Sequence, residues 1–159
     1  MGAWGVVPLT ILGLAVAAHI QVTRWKDNET LFTHVLSINP NEIVAHTNLG
    51  KGHFEKGDLD SARYHFEKAL QIDPQSVKGL FNMASLKMRQ GEFDEAIDYY
   101  FLVLSLRPDH AKALNNLALL LARKGRLHQA AGLLRRAIDS QPDLSEASRN
   151  LSRVEKLLQ

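Results

Sequence analysis

Apolar residues in this chain recur at helical spacing on both sides of a glycine. Around Gly91 they fall at Leu80, Met83, Ala84 and Met88 before it, and at Phe93, Ala96, Ile97, Tyr100 and Leu104 after it. Intervals of three and four residues put each set on one face of an α-helix. Gly57 and Gly125 sit in the same setting. Each glycine therefore separates two helices and ends the first by taking a positive φ, which costs glycine least. Ala62, Ala96 and Ala130 lie early in the second helix, where a small side chain lets the two helices approach. Pro40, Pro74, Pro108 and Pro142 follow the second helix and stop it.

These marks are in phase. The four prolines are spaced by 34 residues, and so are the three glycines, the three alanines and the series Leu49, Met83, Leu117 and Leu151. A fixed period of this length signals units that bury their apolar faces only by stacking on one another. Helix, Gly turn, helix and Pro turn, repeated, predict a right-handed stack of antiparallel helix pairs.

The residues between the marks carry a family resemblance. Asn48-Leu49-Gly50 leads through Gly57-Asp58-Leu59-Asp60-Ser61-Ala62 to Ala69-Leu70-Gln71-Ile72-Asp73-Pro74, a run that resembles a tetratricopeptide repeat (TPR). The resemblance covers roughly residues 43–158. It implies an all-α fold, a TPR superhelix (an α-solenoid of antiparallel helix pairs), with repeats at 43–76, 77–110 and 111–144. His46 and His53 stand where the family usually places large aromatic or apolar groups, so the first repeat is expected to pack less tightly.

Residues 145–159 match only the first half of a repeat and read as a capping helix over Ser145–Leu158. Ser148, Ser152 and Glu155 replace Leu114, Ala118 and Leu121 of the preceding repeat, which predicts a solvated end to the array. A natural C-terminus is the corresponding expectation.

The opposite end differs in kind. No formal charge occurs from Gly2 to Thr23. A helix of that length, at 1.5 Å per residue, reaches about 33 Å, against a hydrocarbon layer of roughly 30 Å. Residues 1–23 are therefore expected to form one transmembrane helix ahead of the array, with Trp4 and Trp25 as interfacial anchors. Two alternatives compete with it. One is a buried first helix of another repeat, which would need a polar groove face that this run lacks. The other is a cleaved signal peptide, which would need a basic n-region.

Residues 24–42 match the second half of a repeat and form a half-repeat junction. The segment Trp25-Lys26-Asp27-Asn28-Glu29-Thr30-Leu31-Phe32 resembles the passage from the last transmembrane helix into a TPR tail in polytopic mannosyltransferase-like membrane proteins. That resemblance implies an extracytoplasmic array, whereas Arg24 and Lys26 favour the cytoplasmic side. The extracytoplasmic side is the expectation here.

Composition narrows the function. There is no cysteine, so disulfides and thiolate chemistry drop out. A net charge of +2 is too small to argue for nucleic acid, and no small-molecule substrate is indicated. By resemblance, the first helix of each pair lines a concave groove. Its cations are Lys51, Lys78, Arg89, Lys112, Arg123, Arg149 and Arg153, seven against the two acids Glu55 and Glu146. A wall of one sign favours a partner of the other. Asn48, Asn82, Asn116 and Asn150 recur once per period in the same groove, with Asn115 beside them. Side-chain amides can pair with a peptide main chain without reading its sequence, as in the similar asparagine ladder of O-linked N-acetylglucosamine transferase. The alternative is that these amides bond only to a neighbouring repeat.

The carboxylate clamp that other TPR domains use for chaperone C-termini is matched only at Asn82 and Lys112. Thr47, Lys51 and Asn116 occupy its remaining places, so that clamp is not expected. Catalytic and metal sites are not expected either. His46 and His53 stand two turns apart on one helix, about 10 Å, while His34, His65, His110 and His128 look scattered. The chain thus reads as a non-enzymatic, cofactor-free, membrane-anchored scaffold that binds an extended acidic peptide. A second reading makes it the non-catalytic TPR tail of a membrane glycosyltransferase, positioning an acceptor protein.

Overall fold

The computed structural model describes residues 28–159, which are helices and turns with no strand among them. A first helix, α1, occupies 28–38 of the described chain. It is followed by α2 (Ile43–Lys56), α3 (Leu59–Ile72), α4 (Val77–Gln90), α5 (Phe93–Leu106), α6 (Ala111–Arg123), α7 (Leu127–Ser140) and α8 (Ser145–Lys156). The last helix stops two residues short of the expected Leu158, a fraying end of ordinary size. The expected transmembrane helix over 1–23 lies outside the described residues. Among those described, no helix is long and apolar enough to cross a membrane.

Local chemistry explains several of the boundaries, while α5, α7 and α8 begin without a side-chain cap. Gly57, Gly91 and Gly125 take φ of 86°, 83° and 77° between paired helices. The N–H of Gly57 and of Gly91 then satisfies carbonyls at the ends of α2 and α4. Other helix starts are capped by side chains that accept a backbone N–H: Asp58 from Ser61, Ser76 from Gly79 and His110 Nδ1 from Ala113. A histidine in this role is unusual, and it works through the unprotonated ring nitrogen.

From α2 onward each helix packs on the next, and first helices of neighbouring units also touch, α2 on α4 and α6 on α8. The core is densest in the middle and C-terminal units, where Tyr100, Val103, Leu114, Leu117 and Leu134 are wholly buried. Ala62, Ala96 and Ala130 are each fully buried at the helix crossings. A smaller core lies between α3 and α4, built on Phe66 against Ala62, Met83 and Leu86. Gly50 permits that packing, because a Cβ there would come within 2.5 Å of the Phe66 ring.

The polar residues of the cap all reach solvent, Glu155 with 44% of its side chain exposed. Ser148 and Ser152 are exposed. Glu155 also turns back to accept from Arg135 of α7 at 2.7 Å.

Candidate functional site

The first helices of the units, α2, α4, α6 and α8, carry all the predicted groove residues. Their cations divide into three groups. Lys78 and Lys112, one period apart at the starts of α4 and α6, are exposed, as are Arg149 and Arg153 on α8. None of these four meets a carboxylate among the described residues. Lys51 lies 3.6 Å from Glu55 one turn away and is partly neutralised by it.

Arg89 and Arg123 are used differently. The Arg89 guanidinium donates to the Phe54 carbonyl at 2.6 Å and lies 4.9 Å from the centre of the Phe54 ring. Arg123 lies 4.3 Å from the centre of the Phe93 ring. Both spend their planar cation on an aromatic face within the array. Arg89 thereby ties the second unit to the first.

The asparagines do not form four equivalent rungs. Asn48 donates to the Val44 carbonyl of its own helix at 2.8 Å. Asn115 is buried, with 2% of its surface exposed. It lies inside a hydrogen-bonded relay that crosses four helices. Asn150 donates to Asn115 at 2.9 Å, Asn115 to Asn116 at 3.1 Å, and Asn116 to the Tyr100 hydroxyl at 2.9 Å. Ser85 donates to the Phe81 carbonyl at 2.9 Å, so its oxygen accepts from Tyr100 at 3.2 Å. Every donor in this line points the same way, from α8 toward α4, an arrangement in which successive bonds polarise one another. Asn82, half-buried on α4, keeps its amide unbonded among the described residues.

A cleft of about 200 Å³ opens between α1 and α2, at the N-terminal end of the wall. Asn48, Lys51, His53 and Phe32 line it, and the Lys56–Glu29 ion pair closes one side.

Histidines gather beside this cleft, which corrects the expectation that His65 stands apart. His65 reaches from α3 into the space between His46 and His53. Its ring stacks on His53 at 5.6 Å and 12°, and its Nδ1 meets His46 Nδ1 at 3.0 Å. His46 Nε2 lies 3.0 Å from the Pro40 carbonyl, which can only accept. The His46 proton therefore sits on Nε2 in the neutral tautomer, and His65 donates to His46 Nδ1. Burial, followed by the repulsion that a second positive charge beside His46 and His53 would meet, lowers the His65 pKa to about 4. Two bonded histidines and a stacked third are not a metal cage, and among the described residues no group of three or more His, Asp or Glu is placed to hold an ion. The helical period could not reveal this cluster, because its third member comes from the next helix.

Two family models, each described as tetratricopeptide repeat, match residues 53–102 and 81–145. No curated protein sequence matches the chain significantly. Among solved structures, a crystal structure of MamA is 21% identical, with a TM-score of 0.71, covering 80% of this chain and 75% of that one. A second MamA crystal structure is 19% identical with a TM-score of 0.72, over 88% and 76% of the two chains. The first TPR of Spaghetti (RPAP3), bound to the HSP90 peptide SRMEEVD, is 22% identical with a TM-score of 0.69, over 73% and 92%. At these identities the likeness is one of fold.

Proposed function

Because residues 53–145 are tetratricopeptide repeats in an all-α solenoid, we propose that this protein is an interaction scaffold whose concave face holds an extended acidic peptide. One observation carries this reading. Lys78, Lys112, Arg149 and Arg153 stand exposed on the first helices of three successive units, with no carboxylate partner among the described residues. Cations left unneutralised along one wall supply a field that a carboxylate-bearing segment would satisfy. Asn82, one turn after Lys78 on α4, offers two donors and an acceptor to a peptide backbone. Lys51, Arg89 and Arg123 contribute less, being engaged within the array, and Asn48, Asn115, Asn116 and Asn150 act chiefly by shaping the wall.

A TPR domain of this fold, that of Spaghetti (RPAP3), holds the peptide SRMEEVD. The present chain departs from the chaperone clamp at Thr47, Lys51 and Asn116, so the acids it reads belong inside a segment rather than at a free C-terminus. The uncharged run from Gly2 to Thr23 supports a membrane anchor for the scaffold.

The test is fluorescence anisotropy with a labelled, C-terminally amidated dodecapeptide alternating Glu and Ala. Binding should weaken as salt rises. The pair Lys112→Glu with Arg149→Glu should weaken it by about tenfold or more, equivalent to about 1.4 kcal/mol. Equal binding of the corresponding Lys-Ala peptide, or an unchanged affinity in the double variant, would overturn the reading.

A further inference from the structure

The period supplies an internal comparison for the outer, convex side. Glu67 and Lys68 on α3 correspond to Phe101 and Leu102 on α5, and to Arg135 and Arg136 on α7. The flanking units place charge at these two positions, while the middle unit places two large apolar side chains. Phe101 and Leu102 are each 49% exposed, and Leu106, one turn on, is 42% exposed. They are not needed to build the core. That task falls to the opposite face of α5, where Ala96, Ile97, Tyr100 and Val103 are buried.

Charges bracket this apolar group asymmetrically. Of the three acids on the N-terminal half of α5, Asp94 pairs with Lys124 and Glu95 with Lys87. Asp98, one turn before Phe101 and Leu102, is exposed and has no cationic partner among the described residues. At the other end stands Arg136 of α7, whose guanidinium donates to the Pro108 carbonyl at 2.9 Å. Arg136 meets no carboxylate among the described residues. The patch is thus acidic at one end, apolar in the middle and basic at the other, over about ten residues or 15 Å of helix. A surface with that order is complementary to itself when turned end for end.

We propose that the outer face of α5 is a self-association surface. Two copies of this chain meet α5 to α5, antiparallel, about a twofold axis near Leu102. Twofold pairing brings each surface onto its own copy. It places Phe101 and Leu102 against their counterparts and each Asp98 near the other copy's Arg136. The apolar area is small. Three side chains exposed to about half their surface offer roughly 300 Å² per copy, against about 800 Å² per partner in a standard stable interface. The pairing is therefore reversible and concentration-dependent, which suits a scaffold that doubles its number of grooves when crowded.

The absence of cysteine makes a direct test available. Ser105→Cys in the full chain supplies one thiol beside the patch, and Gln71→Cys, its period equivalent on α3, supplies the control. With a short bis-maleimide, Ser105→Cys should yield a covalent dimer at high protein concentration, and Gln71→Cys several-fold less. Phe101→Glu with Leu102→Lys installs the residues that the first unit already carries at these positions. It should abolish the cross-link without lowering the melting midpoint. Asp98→Lys should reduce the cross-link, and adding Arg136→Glu should restore it. Equal cross-linking from both cysteines, or a yield unaffected by the paired patch substitution, would overturn the proposal. So would failure of the charge exchange to restore pairing. If the patch substitution instead removes binding to phosphatidylserine vesicles while cross-linking never occurs, the surface meets lipid and not a second copy.

Discussion

Asn150 donates its side-chain amide to the side-chain oxygen of Asn115 at 2.9 Å, across thirty-five residues of chain. The bond joins the last helix to the third repeat and feeds the relay through Asn116 and Tyr100 to Ser85. Asn115 is buried, so removing it strands an acceptor on Asn116 and a donor on Asn150 where water has little access. Asn115→Ala should cost about 1–3 kcal/mol, the range for leaving buried polar groups unmet. Asn48→Ala, which loses only a bond to its own helix, should change stability by less than about 0.5 kcal/mol. Urea unfolding of the two variants measures the contrast. Equal effects would show that the relay adds nothing beyond its separate bonds.

Arg89 and Phe54 make a second inter-repeat tie, with both a hydrogen bond and a stacked cation. Arg89→Lys keeps the charge but loses the planar face, and should destabilise nearly as much as Arg89→Ala, each by about 1 kcal/mol. Full rescue by lysine would mean that charge alone matters at this position.

Two glycines inside helices should respond to alanine with opposite sign. Gly132 of α7 has nothing within 4 Å of a would-be Cβ, so Gly132→Ala should stabilise by about 0.5–1 kcal/mol through helix propensity. At Gly50 the same gain is outweighed by collision with the Phe66 ring, since overpacking costs about 1–3 kcal/mol. Thermal melts should therefore move in opposite directions. A stabilised Gly50→Ala would show that the Phe66 ring yields freely.

Acid should weaken the fold through two histidines. Burial is the main cause of the lowered pKa at both His65 and His110. The unfolded chain then binds more protons than the folded one between the ordinary histidine value near 6.5 and about 4 for His65. The stabilising contribution is complete above pH 6.5 and is lost progressively as pH falls toward 4. Protonated His110 could also no longer accept the Ala113 N–H that caps α6. Melting midpoints between pH 7.5 and pH 4.5 should fall, and fall less steeply in His65→Phe. An identical slope in that variant would remove His65 from the account.

Helix number, helix limits and the stacking period follow from the sequence because their causes are local. A glycine at positive φ, a proline after the second helix and apolar residues every three or four positions act within a dozen residues of one another. Hence Gly57, Gly91 and Gly125 mark the turns, and Ala62, Ala96 and Ala130 mark the crossings, before any fold is seen. Equivalence by period does not extend to side-chain partners. Asn82 and Asn116 occupy the same repeat position, yet only Asn116 meets a tyrosine hydroxyl, because the preceding second helix carries Tyr100 for Asn116 but Phe66, which has no hydroxyl, at the equivalent place for Asn82. Arg89 and Arg123 read as groove cations until their aromatic neighbours are placed. His65 reads as isolated until α3 lays it between two histidines of α2. Those pairings depend on how far one helix rises and turns against the next, a quantity that no single helix encodes. Short-range pattern is thus enough for a solenoid and for the period at which its cations and amides recur, whereas the packing of one helix on the next selects which of them stay without a partner among the described residues.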